Sequence, residues 1–245
     1  MNVEYHHFWS ACLNQEMEFK LYGHAGKLIL VFPAQGGRFF EFEDFGMVEA
    51  ARWFIDEGKI RLVTPESLDY QTWANGNAHP AERARRHQDY DRYICSELVP
   101  SVKGHIGSDE KWMTTGVSMG GYHCANFFFR HPDLFDGTIS LSGLMSLNMF
   151  VGDYVDDNVY FNSPLLYLPE LEDPWYLEQY RQSQIIVCTG QGAWEEPMIA
   201  DARALQDILQ RKNIPCWIDF WGYDVNHDWP WWRQMWPYFL SKIFS

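Results

Sequence analysis

The chain opens on three short runs in which apolar and aromatic residues interleave with polar ones: EYHHFW at 4–9, MEFKLYG at 17–23 and KLILVFP at 27–33. Polar or Gly breaks separate them, and each predicts a β-strand. The period then changes. GMVEAARWFIDEG at 46–58 reads as a helix that ends at Gly58, and KIRLVTPES at 59–67 returns to strand. Residues 80–99 predict a helix that starts at Pro80, carries Tyr90, Ile94 and Leu98 at helical spacing, and stops at Pro100. Further on, WMTTGVS is a strand and 119–131 a helix. FDGTISLSG and SQIIVCTG are strands. PMIADARALQDILQRKN is an amphipathic helix with Ile199, Ala202, Leu205 and Ile208 on one face. IPCWIDFWG is the last strand, and PWWRQMWPYFLSKIF the last helix, with a kink expected at Pro237.

Strand and helix therefore alternate after the N-terminal strands. That order implies an α/β fold, a mostly parallel sheet with helices on both faces. No repeat or flexible linker interrupts it, so a single domain over 1–245 is expected. Residues 143–183 break the rhythm. They hold Tyr154, Tyr160, Phe161, Tyr167, Trp175, Tyr176 and Tyr180, with seven acids and one base, Arg181. A segment of this kind between two sheet strands is expected to act as a lid over a pocket.

Composition narrows the partners. A hydrophobic content of 47% supports a large core, and a net charge of −14 disfavours nucleic acid and anionic membrane as partners. No apolar run approaches the roughly 18 residues of a membrane helix. The opening residues lack the pattern of a signal peptide, so a cytoplasmic location is expected. The oligomeric state is left open, a homo-oligomer included. The five cysteines are scattered, with no CxxC, and read as reduced buried thiols. The histidines show no HExxH spacing, and TGQGAWE lacks the last Gly of a dinucleotide-binding turn. No metal site or cofactor is expected.

The chemistry concentrates at TTGVSMGGYH, residues 114–123. A strand that turns sharply into a helix strains the turning residue. Glycines two before and two after it remove the Cβ atoms that would clash. Gly116, Ser118 and Gly120 match this nucleophile elbow, and Gly121 allows close helix packing. A serine hydroxyl needs a base, and the base an orienting acid. In enzymes with this elbow the order along the chain is Ser, acid, His. His227 lies in the loop after the last strand and fits the base; His123 and His131, on the elbow helix, read as structural. The loop after SQIIVCTG offers Glu195 as the acid, with Glu196 as the alternative. The oxyanion hole needs two backbone N–H groups. Met119 follows the nucleophile, and Gln35, with Gly36 as the alternative, lies in the Gly-rich loop after KLILVFP. Tyr154, Tyr160, Trp175 and Trp229 are candidates to line the substrate pocket.

These blocks resemble the esterases of the α/β-hydrolase fold, a group that includes S-formylglutathione hydrolase (esterase D), feruloyl esterase domains and the mycolyltransferases. The resemblance covers nearly the whole chain and rests on VFPAQGG, TTGVSMGGYHCANFFFRHPDLFDGTISLSG and NHDWPWW. It implies carboxylic-ester hydrolysis with Ser118 as nucleophile and His227 as base. Many relatives use Asp where this chain has two glutamates, as in the mycolyltransferase-like branch. The expected activity is that of a serine esterase acting on a small or medium ester. Alternatives are an acyltransferase on the same triad and a non-catalytic binding protein that kept the fold.

Overall fold

The computed structural model describes residues 1–244. Eight strands form one sheet: β1 (Val3–Ser10), β2 (Gln15–Tyr22), β3 (Lys27–Phe32), β4 (Ile60–Pro65), β5 (Trp112–Val117), β6 (Phe135–Leu141), β7 (Gln184–Thr189) and β8 (Trp217–Phe220). Their order across the sheet is β1-β2-β4-β3-β5-β6-β7-β8. The β1–β2 and β2–β4 pairs are antiparallel. The pairs from β4 through β8 are parallel. The mostly parallel α/β sheet expected from the alternating elements is thus present.

Both faces of the sheet are covered, which explains the continuous apolar strands. On β3, Leu28, Leu30 and Phe32 point to a core shared with the helices Pro80–Arg92, Met119–Arg130 and Glu196–Arg211. Ile29 and Val31 point the other way, to a core capped by Met47, Phe54, Trp236 and Phe239. The two threonines of β5, buried at the sheet's centre, stay satisfied. Thr115 Oγ1 donates to the Ile139 carbonyl at 2.8 Å and Thr114 Oγ1 to the Cys124 carbonyl at 2.9 Å.

Two element expectations need correction. The helix from Pro80 does not stop at Pro100. It passes through a wider π-turn at Tyr93–Leu98 and continues as Val99–Ile106, ending at Gly107 with φ 68°. Proline cannot donate its nitrogen and crowds the carbonyl four residues earlier; the wider turn before it absorbs that misfit. The helix expected over 46–58 is broken at Ala51 into Met47–Ala50 and Arg52–Asp56. The segment 143–183 forms four short helices, Asn148–Val151, Asp157–Tyr160, Pro164–Glu170 and Pro174–Arg181. Among the described residues no helix is long and apolar enough to cross a membrane.

Candidate active site

β5 lies at the middle of the sheet, and its chain turns at Ser118 directly into the helix Met119–Arg130. Ser118 has φ 56° and ψ −120°, a region costly for a residue with a side chain. The flanking glycines make the turn feasible. A Cβ on Gly116 would overlap the backbone of Gly120, and one on Gly120 would overlap the Phe32 carbonyl of the neighbouring strand. Two more non-glycine residues with positive φ sit beyond the adjacent strand ends: Ser142 (φ 50°) after β6 and Trp194 (φ 70°) after β7. Backbone strain of this kind gathers at functional sites.

His227 comes from the loop between β8 and the last helix, Trp229–Ile243. Its Nε2 lies 2.8 Å from Ser118 Oγ. Its Nδ1 faces Glu195 Oε2 at 3.5 Å, longer than a formed hydrogen bond. The His227 N–H donates to the Ala193 carbonyl at 3.0 Å, tying the histidine loop to the loop that carries Glu195.

Of the two glutamates, Glu195 is fully buried and turned to His227, whereas Glu196 is exposed in the first turn of its helix. Two hydroxyls hold the buried carboxylate. Ser142 Oγ donates to Oε1 at 2.6 Å, and Thr189 Oγ1 donates to Oε2 at 2.7 Å. Trp232 Nε1 in turn donates to Ser142 Oγ at 2.9 Å, and the Trp232 ring meets the His227 ring edge-on at 4.9 Å. Ser142, Thr189 and Trp232 were not among the expected site residues. The only local signals were their positions at a strand end (Thr189), one residue past one (Ser142), or one turn into the final helix (Trp232).

The loop after β3 is braced from behind. The Gly36 N–H donates to Asp69 Oδ2 at 3.0 Å, so the alternative oxyanion donor is already engaged. Among the described residues no intramolecular acceptor takes the N–H of Gln35 or Met119. Asp69 is itself buried, and its other oxygen meets His123 Nε2 at 2.8 Å. His123, expected to be structural, thus connects the elbow helix to the Gly36 loop. Glu41 braces the same loop by accepting the Ala34 N–H at 2.7 Å. Burial pushes the Glu41 carboxyl up to about 7.

The four candidate pocket residues separate. Tyr154 packs against the cluster that contains Met119, Tyr122 and Met198, close to the elbow. Trp229 follows the histidine loop and stacks on Phe45 at 4.2 Å. Tyr160 and Trp175 do not join them. They line a groove of about 810 Å³ with Phe129, His131 and Tyr176. That groove is at the far end of the 12-residue elbow helix, about 18 Å from Ser118 at 1.5 Å per residue. The reason is visible in the packing. Leu168 and Tyr180 of the 143–183 segment are buried in the core over the helix's C-terminal end, and they carry the second half of the segment away from the serine. The segment's acids do not converge on the site either. Asp156 and Asp173 cap helices, accepting from the backbone of Val159 and Trp175, and Glu170, Glu172 and Glu178 are exposed.

A family model described as "Putative esterase" matches residues 10–238. No curated protein sequence matches the chain. Among solved structures, a ferulic acid esterase superposes with TM-score 0.77 at 17% identity, covering 99% of this chain and 97% of that one. S-formylglutathione hydrolase from Staphylococcus aureus gives TM-score 0.70 at 16% identity, covering 100% and 97%. Mycobacterium tuberculosis MPT51 gives 0.71 at 16%, covering 98% of each chain. With a matching family model over nearly its whole length and the same fold as these structures, the chain belongs to this esterase family and is a carboxylic ester hydrolase of the α/β-hydrolase fold.

Proposed function

We propose that the protein hydrolyses a small or medium carboxylic ester through an acyl-enzyme on Ser118, His227 and Glu195. The observation that carries this reading is the 2.8 Å approach of His227 Nε2 to Ser118 Oγ, with the buried Glu195 behind the ring. Ser118 Oγ attacks the ester carbonyl carbon while His227 Nε2 takes its proton. The carbonyl oxygen becomes an oxyanion, which the N–H groups of Met119 and Gln35 receive. The C–O bond to the alcohol then breaks, and the imidazolium returns the proton to the leaving oxygen. Water enters, gives a proton to the same nitrogen and attacks the acyl carbon. Collapse of this second intermediate frees the acid and restores Ser118. Glu195 holds the histidine with its proton on Nδ1 and offsets the imidazolium charge. Tyr154, packed against the cluster that holds Met119, and Trp229, packed on Trp232, serve as walls for the substrate.

The direct test is hydrolysis of p-nitrophenyl acetate by wild type and Ser118→Ala, with fluorophosphonate labelling of both. Loss of a triad serine typically costs several powers of ten in kcat. The variant should fold, hydrolyse poorly and take no label. Retention of more than about a tenth of the wild-type rate, a barrier change under ~1.4 kcal/mol, would remove Ser118 from the reaction. Adding an alcohol as second acceptor separates hydrolysis from acyl transfer: an ester product that outgrows the free acid would favour transfer.

A further inference from the structure

Glu4 and His6 are two residues apart on β1, so their side chains leave the same face of the sheet. His105 reaches them from the helix Val99–Ile106. His105 Nε2 is 2.8 Å from Glu4 Oε2, and His6 Nε2 is 3.2 Å from the same oxygen. One donor atom from each residue falls within 4.8 Å of the other two.

This arrangement has more than proximity behind it. The donors are two imidazoles and one carboxylate, a set that suits Zn²⁺ with an open position for water. The groups are also oriented from outside. The His6 ring lies flat on Phe19, 4.8 Å between centroids and 8° from parallel. The second carboxylate oxygen, Oε1, accepts from Asn2 Nδ2 at 3.1 Å, which leaves Oε2 turned to the histidines. Access is open, since the side chains of His6, Glu4 and His105 are 29%, 33% and 49% exposed. The fit in size is close: Zn–N and Zn–O bonds of about 2.0–2.2 Å in a tetrahedron put neighbouring donors about 3.4 Å apart. The two carboxylate–imidazole separations, 2.8 and 3.2 Å, lie inside that value, and all three donors fall within 4.8 Å of one another, so the ligands reach it by small side-chain rotations.

We propose that Glu4, His6 and His105 form a divalent metal site suited to Zn²⁺, which joins the edge strand β1 to the helix Val99–Ile106. The ion takes the place of the shared hydrogen bonds. Each histidine then presents Nε2 as a lone pair and carries its proton on Nδ1. The site is separate from the chemistry at Ser118. β1 lies four strands from β5 in the sheet, about 19 Å at 4.8 Å per strand. Its role is to fasten the N-terminal hairpin, which pairs antiparallel and joins the sheet through the antiparallel β2–β4 pair. Sequence spacing conceals it, because the third ligand comes from a distant helix.

Chelator-treated protein titrated with Zn²⁺ alone tests the proposal, by calorimetry and by thermal unfolding. Wild type should take up one ion per chain at micromolar concentration and melt several degrees higher with it. Glu4→Gln and His105→Gln, both at exposed or half-exposed positions, should each weaken uptake at least about tenfold. Ester hydrolysis without added metal should not change in either. Cys95→Ala serves as the control. It belongs to a second group of donors with Asp91 and His131, where Arg130 already occupies Asp91 at 2.9 Å; this variant should bind Zn²⁺ like wild type. No uptake by wild type, equal uptake by His105→Gln and Glu4→Gln, or loss in Cys95→Ala instead would each overturn the assignment.

Discussion

Glu195 combines two demands that usually conflict. A fully buried carboxylate is costly unless hydrogen bonds replace water, and in the triad we propose the acid must remain charged to hold its histidine. Ser142 and Thr189 meet the first demand without adding a competing cation. Glu195→Gln should therefore lower kcat by on the order of 10³-fold or more, because the amide can offer Nδ1 a donor and favour the wrong tautomer. Glu196→Gln, at an exposed position, should leave kcat unchanged and shift stability by no more than about 0.5 kcal/mol. Paired kinetics and melting curves check both, and the reverse pattern would move the role to Glu196. Ser142→Ala should act on both properties, since Glu195 Oε1 and Trp232 Nε1 each lose their partner. A stability loss of about 1–3 kcal/mol with a reduced kcat is expected. Sequence put Glu195 first and Glu196 as the alternative in the loop after β7, but held no local signal of which one is buried. The burial depends on which side chain meets the hydroxyls of Thr189, at the end of the preceding strand, and of Ser142, which is distant in sequence and reaches the loop only in the fold.

At the scale of elements, the elbow and the loop after β3 work as a pair. One Gly36 N–H, one aspartate and one histidine join them: Gly36 to Asp69 to His123. This chain fixes where the Gln35 N–H points relative to the Met119 N–H. Asp69→Asn keeps the shape but weakens the charge-assisted bond to the loop. It should reduce kcat about tenfold or more with little change in KM, since the oxyanion exists only after attack. An Asp69→Asn enzyme with unchanged kcat would mean that the loop holds its position unaided. The strands and the elbow were legible from sequence because they obey local rules: a period of two, and glycines where a Cβ cannot fit. The brace was not legible, because Asp69 reads as an ordinary loop residue until the fold brings it to His123. Pro100 misled for a related reason. It is a helix stop by local rules, yet the π-turn before it, stabilised by the buried Tyr93, Ile94 and Leu98, lets the helix run on. Tyr160 and Trp175 were misplaced because composition marks a segment as aromatic without saying which end of a helix it will cover.

Across the whole molecule, buried ionisable groups make stability depend on pH from both sides. Burial raises the Glu41 carboxyl from 4.5 to about 7 in the folded protein. Between those values the folded state holds a proton that the unfolded chain has released, so stability falls as pH rises through this window. Burial also raises Glu66, which acts in the same direction. His87 works oppositely. It is fully buried against the His123 ring, and burial pushes its imidazole well below 6.5. Below about 6.5 the unfolded chain takes a proton that the folded one refuses, and stability falls as pH drops. The growing negative charge of a chain already at −14 adds to the loss at high pH. The melting temperature should therefore peak at mildly acidic pH. Glu41→Gln should flatten the decline between about pH 5 and 7 while leaving the acid side alone. His87→Leu should flatten the acid side below about 6.5 and leave the Glu41 window intact. Melting curves of the three proteins from pH 4 to 9 separate these effects; a Glu41→Gln curve parallel to wild type would mean that Glu41 stays ionised in the folded loop and braces Ala34 as a carboxylate throughout.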